Sequence, residues 1–217
     1  MTKIIYRPSQ RIHEPPWLIW HAKDLLEKAN RQNDASKILY SCLELRNCLE
    51  MVEFRMILAS VGEEDRTQLM IDAKPRHGIN KVNDKVKSLK YKYQIFYKIV
   101  CETIGRFGNP IDFSKSSTLK EKLSDYVHTY TRTPEELKFG SEYLRAASGI
   151  MEETIAFLEL ALNKDQNSYM LQNLSITTLN EEDKQILDKW KNGIIKDESE
   201  LREILNKQKE ASDSNPR

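Results

Sequence analysis

DASKILYSCLELRNCLEMVEFRMILASV, residues 34–61, decides the fold class. Ile38, Cys42, Leu45, Leu49, Val52, Met56 and Ala59 follow one another at alternating spacings of four and three, the repeat of a single helical face. Such a stripe predicts a helix that packs on its neighbours at the shallow angle of a bundle, and Gly62 is placed to stop it. The same grammar extends outward. Seven glycines and seven prolines are few for 217 residues, and most of the chain alternates apolar and charged residues with a helical period. The expectation is an all-α protein, an antiparallel four- to five-helix bundle with a small C-terminal helical appendage.

Upstream, residues 1–16 (MTKIIYRPSQRIHEPP) read as an irregular arm, because Pro8, Pro15 and Pro16 interrupt any helix there. A helix from Trp17 to Asn30 follows, with Trp17, Trp20, Leu25 and Leu26 expected on its buried side. Downstream, residues 63–74 fit either a short helix or an ordered loop. A long helix is expected from Asn80 to Ile104, burying Val82, Val86, Leu89, Tyr93, Phe96, Val100 and Ile104 before Gly105. After a loop to Ser117, TLKEKLSDYVHTY reads as a helix whose apolar stripe is Leu119, Leu123, Tyr126, Val127 and Tyr130. Thr133, Pro134 and Glu136 then form a capping-box start for a helix with Leu144, Ala147, Met151, Ile155, Leu158 and Leu162 on its core side. The bundle thus spans 17–163, a linker 164–179, the appendage 180–210 and a solvated tail 211–217.

Composition excludes several classes. No run of about 18 apolar residues occurs, so no membrane span is expected, and the start of the chain lacks the apolar core of a signal peptide, which points to the cytoplasm. Cys42, Cys48 and Cys101 have no CxxC spacing and read as reduced core thiols. His13 and His21 lack metal-ligand spacing, and there is no HExxH, glycine-rich or phosphate-loop motif, so neither metal nor cofactor is expected. A net charge of +1 leaves any polyanion contact to a local patch.

The strongest lead to chemistry is His128, which falls almost opposite the centre of its helix's apolar stripe. Asp125 lies three residues before it and Arg132 four after, so a helix would line up a carboxylate, an imidazole and a guanidinium. That set can orient a general acid or base and hold a phosphate. An ordinary surface histidine beside Ser124 or Arg132 fits the same residues. A second lead is basic. Lys81, Lys85 and Lys92 interleave with Tyr91, Tyr93, Phe96 and Tyr97, and Lys74 and Arg76 stand just ahead of them, a composition that binds phosphates while stacking bases. The same lysines flank the apolar stripe, where their stems can simply cover the rim of a core.

Two long helices, a shorter histidine-bearing helix and a closing helix, over about Asp34 to Asn163, resemble the HEPN superfamily of helical-bundle proteins. Its signature is an arginine a few residues ahead of a histidine, with a tyrosine two residues beyond in one branch. Here Lys122, His128 and Tyr130 occupy those places, so lysine stands where the family has arginine. The resemblance implies a homodimer, and in catalytic relatives a metal-independent cleavage of RNA at the dimer seam. Lysine keeps the charge but loses the planar fork that grips phosphate, which implies a degenerate site. Three functions follow. The first is a HEPN-like interaction or RNA-associated module, of the kind found in bacterial defence or stress systems. The second is a ribonuclease with His128 as acid or base, Lys122 or Arg132 on phosphate and Tyr130 as an orienting hydroxyl. The third is a helical adaptor docking a protein partner through residues 180–207, where Trp190 and Leu201 would matter most.

Overall fold

Prolines open the first helix. Pro15 and Pro16 occupy the first positions of α1 (Pro15–Gln32), where an amide proton has no helical partner to lose. The structure, a computed structural model, describes residues 14–75, 78–105, 111–163 and 179–213. The expected arm up to residue 13, Arg76, most of the expected linker and the last four residues of the expected tail lie outside these. Among the described residues seven further helices follow: α2 (Ala35–Ala59), α3 (Glu63–Ala73), α4 (Gly78–Thr103), α5 (Phe113–Val127), α6 (Glu142–Leu162), α7 (Glu181–Lys191) and α8 (Glu198–Asp213). A 3-10 turn covers Thr129–Thr131, and no strand occurs among the described residues. The protein is all-α.

Two compact units divide the chain, one built from residues 1–53 and 112–160, the other from 54–111 and 161–217. This division differs from the expected 17–163 domain with an appendage at 180–210.

In the first unit, α1 buries Trp17, Leu18, Ile19, Ala22 and Ala29. Trp20, Leu25 and Leu26, expected inside, are only partly covered. The helix ends at Asn33, whose left-handed backbone (φ 51°) lets its amide bond Ala29. Asp34 then starts α2, accepting from the Ser36 amide (3.0 Å) and hydroxyl (2.6 Å) and from the Lys37 ammonium. These bonds, Lys37 foremost, lower the Asp34 carboxyl to about 2. The α2 stripe is buried at Ile38, Cys42, Leu45, Leu49 and Val52, and the Ser41 hydroxyl ties it to α1 through the Ala22 carbonyl (2.8 Å).

Two charges cross this interior. The Glu53 carboxylate is almost fully enclosed and accepts from the Ser116 hydroxyl (2.6 Å) and the Lys120 ammonium (2.6 Å), both on α5. Asp112 caps α5 by accepting from the Lys115 amide, so the helix begins at Phe113, inside the stretch expected to be a loop. Its serines and threonine are weak helix formers, but Ser116 is spent on Glu53 and Thr118 bonds back to the Ser114 carbonyl. The capping box of Thr133 and Glu136 forms, yet it closes only a turn. Gly140 takes a left-handed conformation (φ 83°), and α6 starts afresh at Glu142 with the Ser141 hydroxyl receiving the Leu144 amide.

In the second unit, Ile57, Val61, Leu69, Val82 and Val86 form one cluster, partly covered by Phe54, Leu58, Ala73 and Leu89. Residues 63–73 are therefore helix rather than loop. Further along α4, Tyr93, Ile95, Phe96, Tyr97 and Ile99 are all buried, because α7 and α8 also pack on this helix. Ile104, expected in the core, is exposed. Asn180 caps α7 on the Asp183 amide, with acids in its first turn and Lys189 and Lys191 in its last. Gly193 ends it at φ 72°. Helix α8 then continues to Asp213, past the expected start of the tail. Cys42, Cys48 and Cys101 are buried, and burial pushes the Cys42 thiol up to about 12.

Removing one member of the Glu53–Lys120 pair leaves a buried charge without its partner. Glu53→Ala or Lys120→Ala is expected to cost about 3 kcal/mol in urea unfolding, while Glu53→Leu with Lys120→Met recovers most of that loss. A second prediction concerns pH. Because folding lowers the Asp34 carboxyl from its ordinary 3.8 to about 2, its contribution is complete above the former and disappears as pH falls through the latter. The stability gap between wild type and Asp34→Asn, measured by urea unfolding at a series of pH values, should be constant near neutrality, narrow below the ordinary 3.8 and close as pH falls through about 2.

Candidate functional site

Helix α5 stops at Val127. His128 leaves it with φ −99° and ψ 71°, so the helical strip expected to hold Asp125, His128 and Arg132 in line does not form. Its cause lies on α6. The Tyr143 hydroxyl donates to the Asp125 carbonyl (2.6 Å), satisfying an acceptor that a continuing helix would have offered to Thr129. The threonines at 129, 131 and 133, each stiff at its β-carbon, favour the departure.

What forms instead is a stack. Tyr126 is buried on α5, and its ring lies 4.7 Å from that of half-buried Tyr143, tilted by 39°. Burial raises the pKa of both tyrosines, and Tyr143 adds to the rise at Tyr126, so at neutral pH their hydroxyls keep their protons. The Arg132 guanidinium lies 4.6 Å from the centroid of the Tyr143 ring, as a cation–π pair. One edge of that guanidinium meets Glu136, whose Oε1 is 3.3 Å away. Glu136 accepts from the Thr133 amide (2.8 Å) and hydroxyl (3.1 Å) with its other oxygen. These bonds, the amide's first, hold its carboxyl below the usual glutamate range.

His128 and Tyr130 stand at the surface on the segment between Val127 and Arg132, their rings edge-on at 6.3 Å. Tyr130, expected in the apolar stripe, is 86% exposed, since the helix that would have turned it inward ends before it. Asp125 contributes its backbone carbonyl, while its side chain is exposed. Lys122 is directed elsewhere: its ammonium lies 3.7 Å from Glu153, a carboxylate that also meets Lys115 at 3.4 Å. The structure therefore brings His128, Tyr130 and Arg132 onto one short segment and pairs Lys122 with a carboxylate of α6. Sequence reasoning missed Tyr143. The signal was its place just before Leu144, the first core position of α6, within reach of a helix end carrying Tyr126.

The basic residues assigned to RNA belong to the second unit. Lys74 and Lys81 are exposed, whereas Arg76 and the Lys85 side chain lie outside the described residues. Lys92 has a structural task. Its ammonium donates to the Trp190 (3.1 Å) and Lys191 (2.8 Å) carbonyls at the C-terminus of α7, and the Trp190 indole donates back to the Lys92 carbonyl (2.8 Å). Trp190 and Leu201, the residues an adaptor would offer to a partner, are buried within this unit. Among the described residues, no group of three His, Cys, Asp or Glu side chains is arranged to hold a metal ion, and no helix is long and apolar enough to cross a membrane.

No family model, curated protein or solved structure matches the chain.

The reciprocal bonds between Lys92 and Trp190 carry a prediction. Lys92→Met should lower stability by about 1 kcal/mol, and Trp190→Ala by about 3 to 4 kcal/mol, both read by thermal and urea unfolding. A Trp190→Ala protein of unchanged stability would instead mark that side chain as free for a partner.

Proposed function

We propose that this chain is a non-catalytic, HEPN-like helical module that contacts single-stranded RNA through the segment joining α5 to α6. The observation that carries this reading is the Arg132 guanidinium seated on Tyr143, whose ring packs on Tyr126, two residues along the chain from a tyrosine that is 86% exposed. Single-stranded RNA asks for those two things, a flat ring on which a base can stack and a cation for the adjoining phosphate. His128 adds a second ring of the same strip. With a net charge of only +1, local chemistry of this kind must supply the affinity. The pairing of Lys122 with Glu153 argues against a catalytic role for that lysine, because a transition-state cation has to face the phosphate. The reading brings with it the homodimer that the family resemblance implies.

A metal-independent ribonuclease is the second reading, and the exposure of His128 favours it. Both are tested with a fluorescein-labelled oligouridylate and a mixed-sequence RNA in EDTA. Binding followed by anisotropy should weaken about 5- to 100-fold in Tyr130→Ala, the range for loss of one stacked base. Arg132→Ala should weaken it and reduce the salt slope by about one. The RNA should remain intact. Cleavage that disappears in His128→Ala would replace the binding module with the ribonuclease, and absence of both binding and cleavage would sink the two together.

A further inference from the structure

Arg132 differs from an ordinary surface arginine in what is behind it. Its guanidinium rests on Tyr143, Tyr143 is fixed by the Asp125 carbonyl and by the Tyr126 ring, and Tyr126 is buried in α5. The entropy of placing this fork is therefore spent before any ligand arrives. A planar fork held in this way takes an oxyanion edge-on, and in the unbound protein it already has one. Glu136 fills an edge of the fork with Oε1 while its Oε2 is held by Thr133. The carboxylate is thus anchored independently of Arg132 and can let the arginine go without losing its own place.

We propose that Glu136 is a built-in competitor of the ligand phosphate, a carboxylate parked on the Arg132 fork that a phosphodiester displaces on binding. The inference rests on the RNA-binding reading above and adds to it a residue that sets affinity. The displacement is cheap. An exposed pair four residues apart contributes little, and a phosphate that meets the fork with two oxygens replaces one contact by two. At neutral pH Glu136 is ionised, since the Thr133 amide and hydroxyl and Arg132 all stabilise its carboxylate. Its effect is therefore constant across the physiological range.

The test is Glu136→Gln, because glutamine keeps an oxygen for the Thr133 amide while removing the charge and the acceptor that meets Arg132. Oligouridylate binding followed by anisotropy should tighten about two- to fivefold, with thermal unfolding unchanged. Glu135→Gln removes an equal charge one residue away and should leave the affinity alone. In Arg132→Ala with Glu136→Gln the gain should vanish, because the glutamate acts only through the arginine. An equal gain in Glu135→Gln would reduce the effect to net charge and overturn the proposal, as would a gain that survives loss of Arg132. Wild-type binding that Glu136→Gln leaves unchanged refutes the competitor but keeps the binding module. If neither protein binds, both fall.

Discussion

One buried carboxylate governs the geometry of the first unit. Glu53 could lie inside only with its charge answered, and both answers, Ser116 and Lys120, come from a single face of α5. The pair is costly to bury and earns little over a well-packed apolar substitute, but it is directional in a way that leucine against leucine is not. It fixes which turn of α5 faces α2, and Arg46 reaching Ser124 repeats the constraint two turns on (2.9 Å). With the rotation and register of α5 set by polar contacts, the point at which its last turn faces Tyr143 is set too. The surface strip beyond Val127 inherits its position from a carboxylate buried far behind it in the sequence.

The end of α5 shows how a tertiary contact overrides a local signal. Residues 118–130 read as an unbroken amphipathic helix, and every stripe residue up to Tyr126 is indeed buried. Nothing in that window announces that a tyrosine from α6 will take the Asp125 carbonyl. The result reverses the expected arrangement: Tyr130 goes from core stripe to solvent, and Arg132 moves from the histidine strip to the face of Tyr143. A helix-based line of catalytic groups gives way to a turn in which aromatic rings and a cation lie side by side.

Legibility followed the physics of each element. The α2 face could be read because its stripe repeats over seven positions, and five of those are buried in the first unit. α1 was harder: Trp17, Leu18, Ile19 and Trp20 stand in one unbroken apolar run that offers several faces at once, and the one chosen put Leu25 and Leu26 where Leu18 and Ile19 belong. The capping box at Thr133 was read correctly as local chemistry, but a cap states only where a helix can begin, and Gly140 decided that this one would not continue. Of the candidate site, the residues His128, Tyr130 and Arg132 were accessible from sequence, and so was the four-residue spacing of Arg132 and Glu136, whereas Tyr143 was not, because it reaches Arg132 and the Asp125 carbonyl through space rather than through spacing.

The second unit has a temporal consequence. Its α4 carries Tyr93, Phe96 and Tyr97 on surfaces that are covered in part by α7 and α8, which follow more than seventy residues later. A ribosome delivers α4 well before residues 181–213 exist, and at ordinary synthesis rates those aromatic faces stay bare for several seconds. The first unit is likewise split, its α5 and α6 made after the whole of α4. Neither unit can close in the order in which it is made, so this chain emerges with two half-finished cores at once, and its yield in the cell should be governed by how well that interval is guarded rather than by the stability of the finished fold.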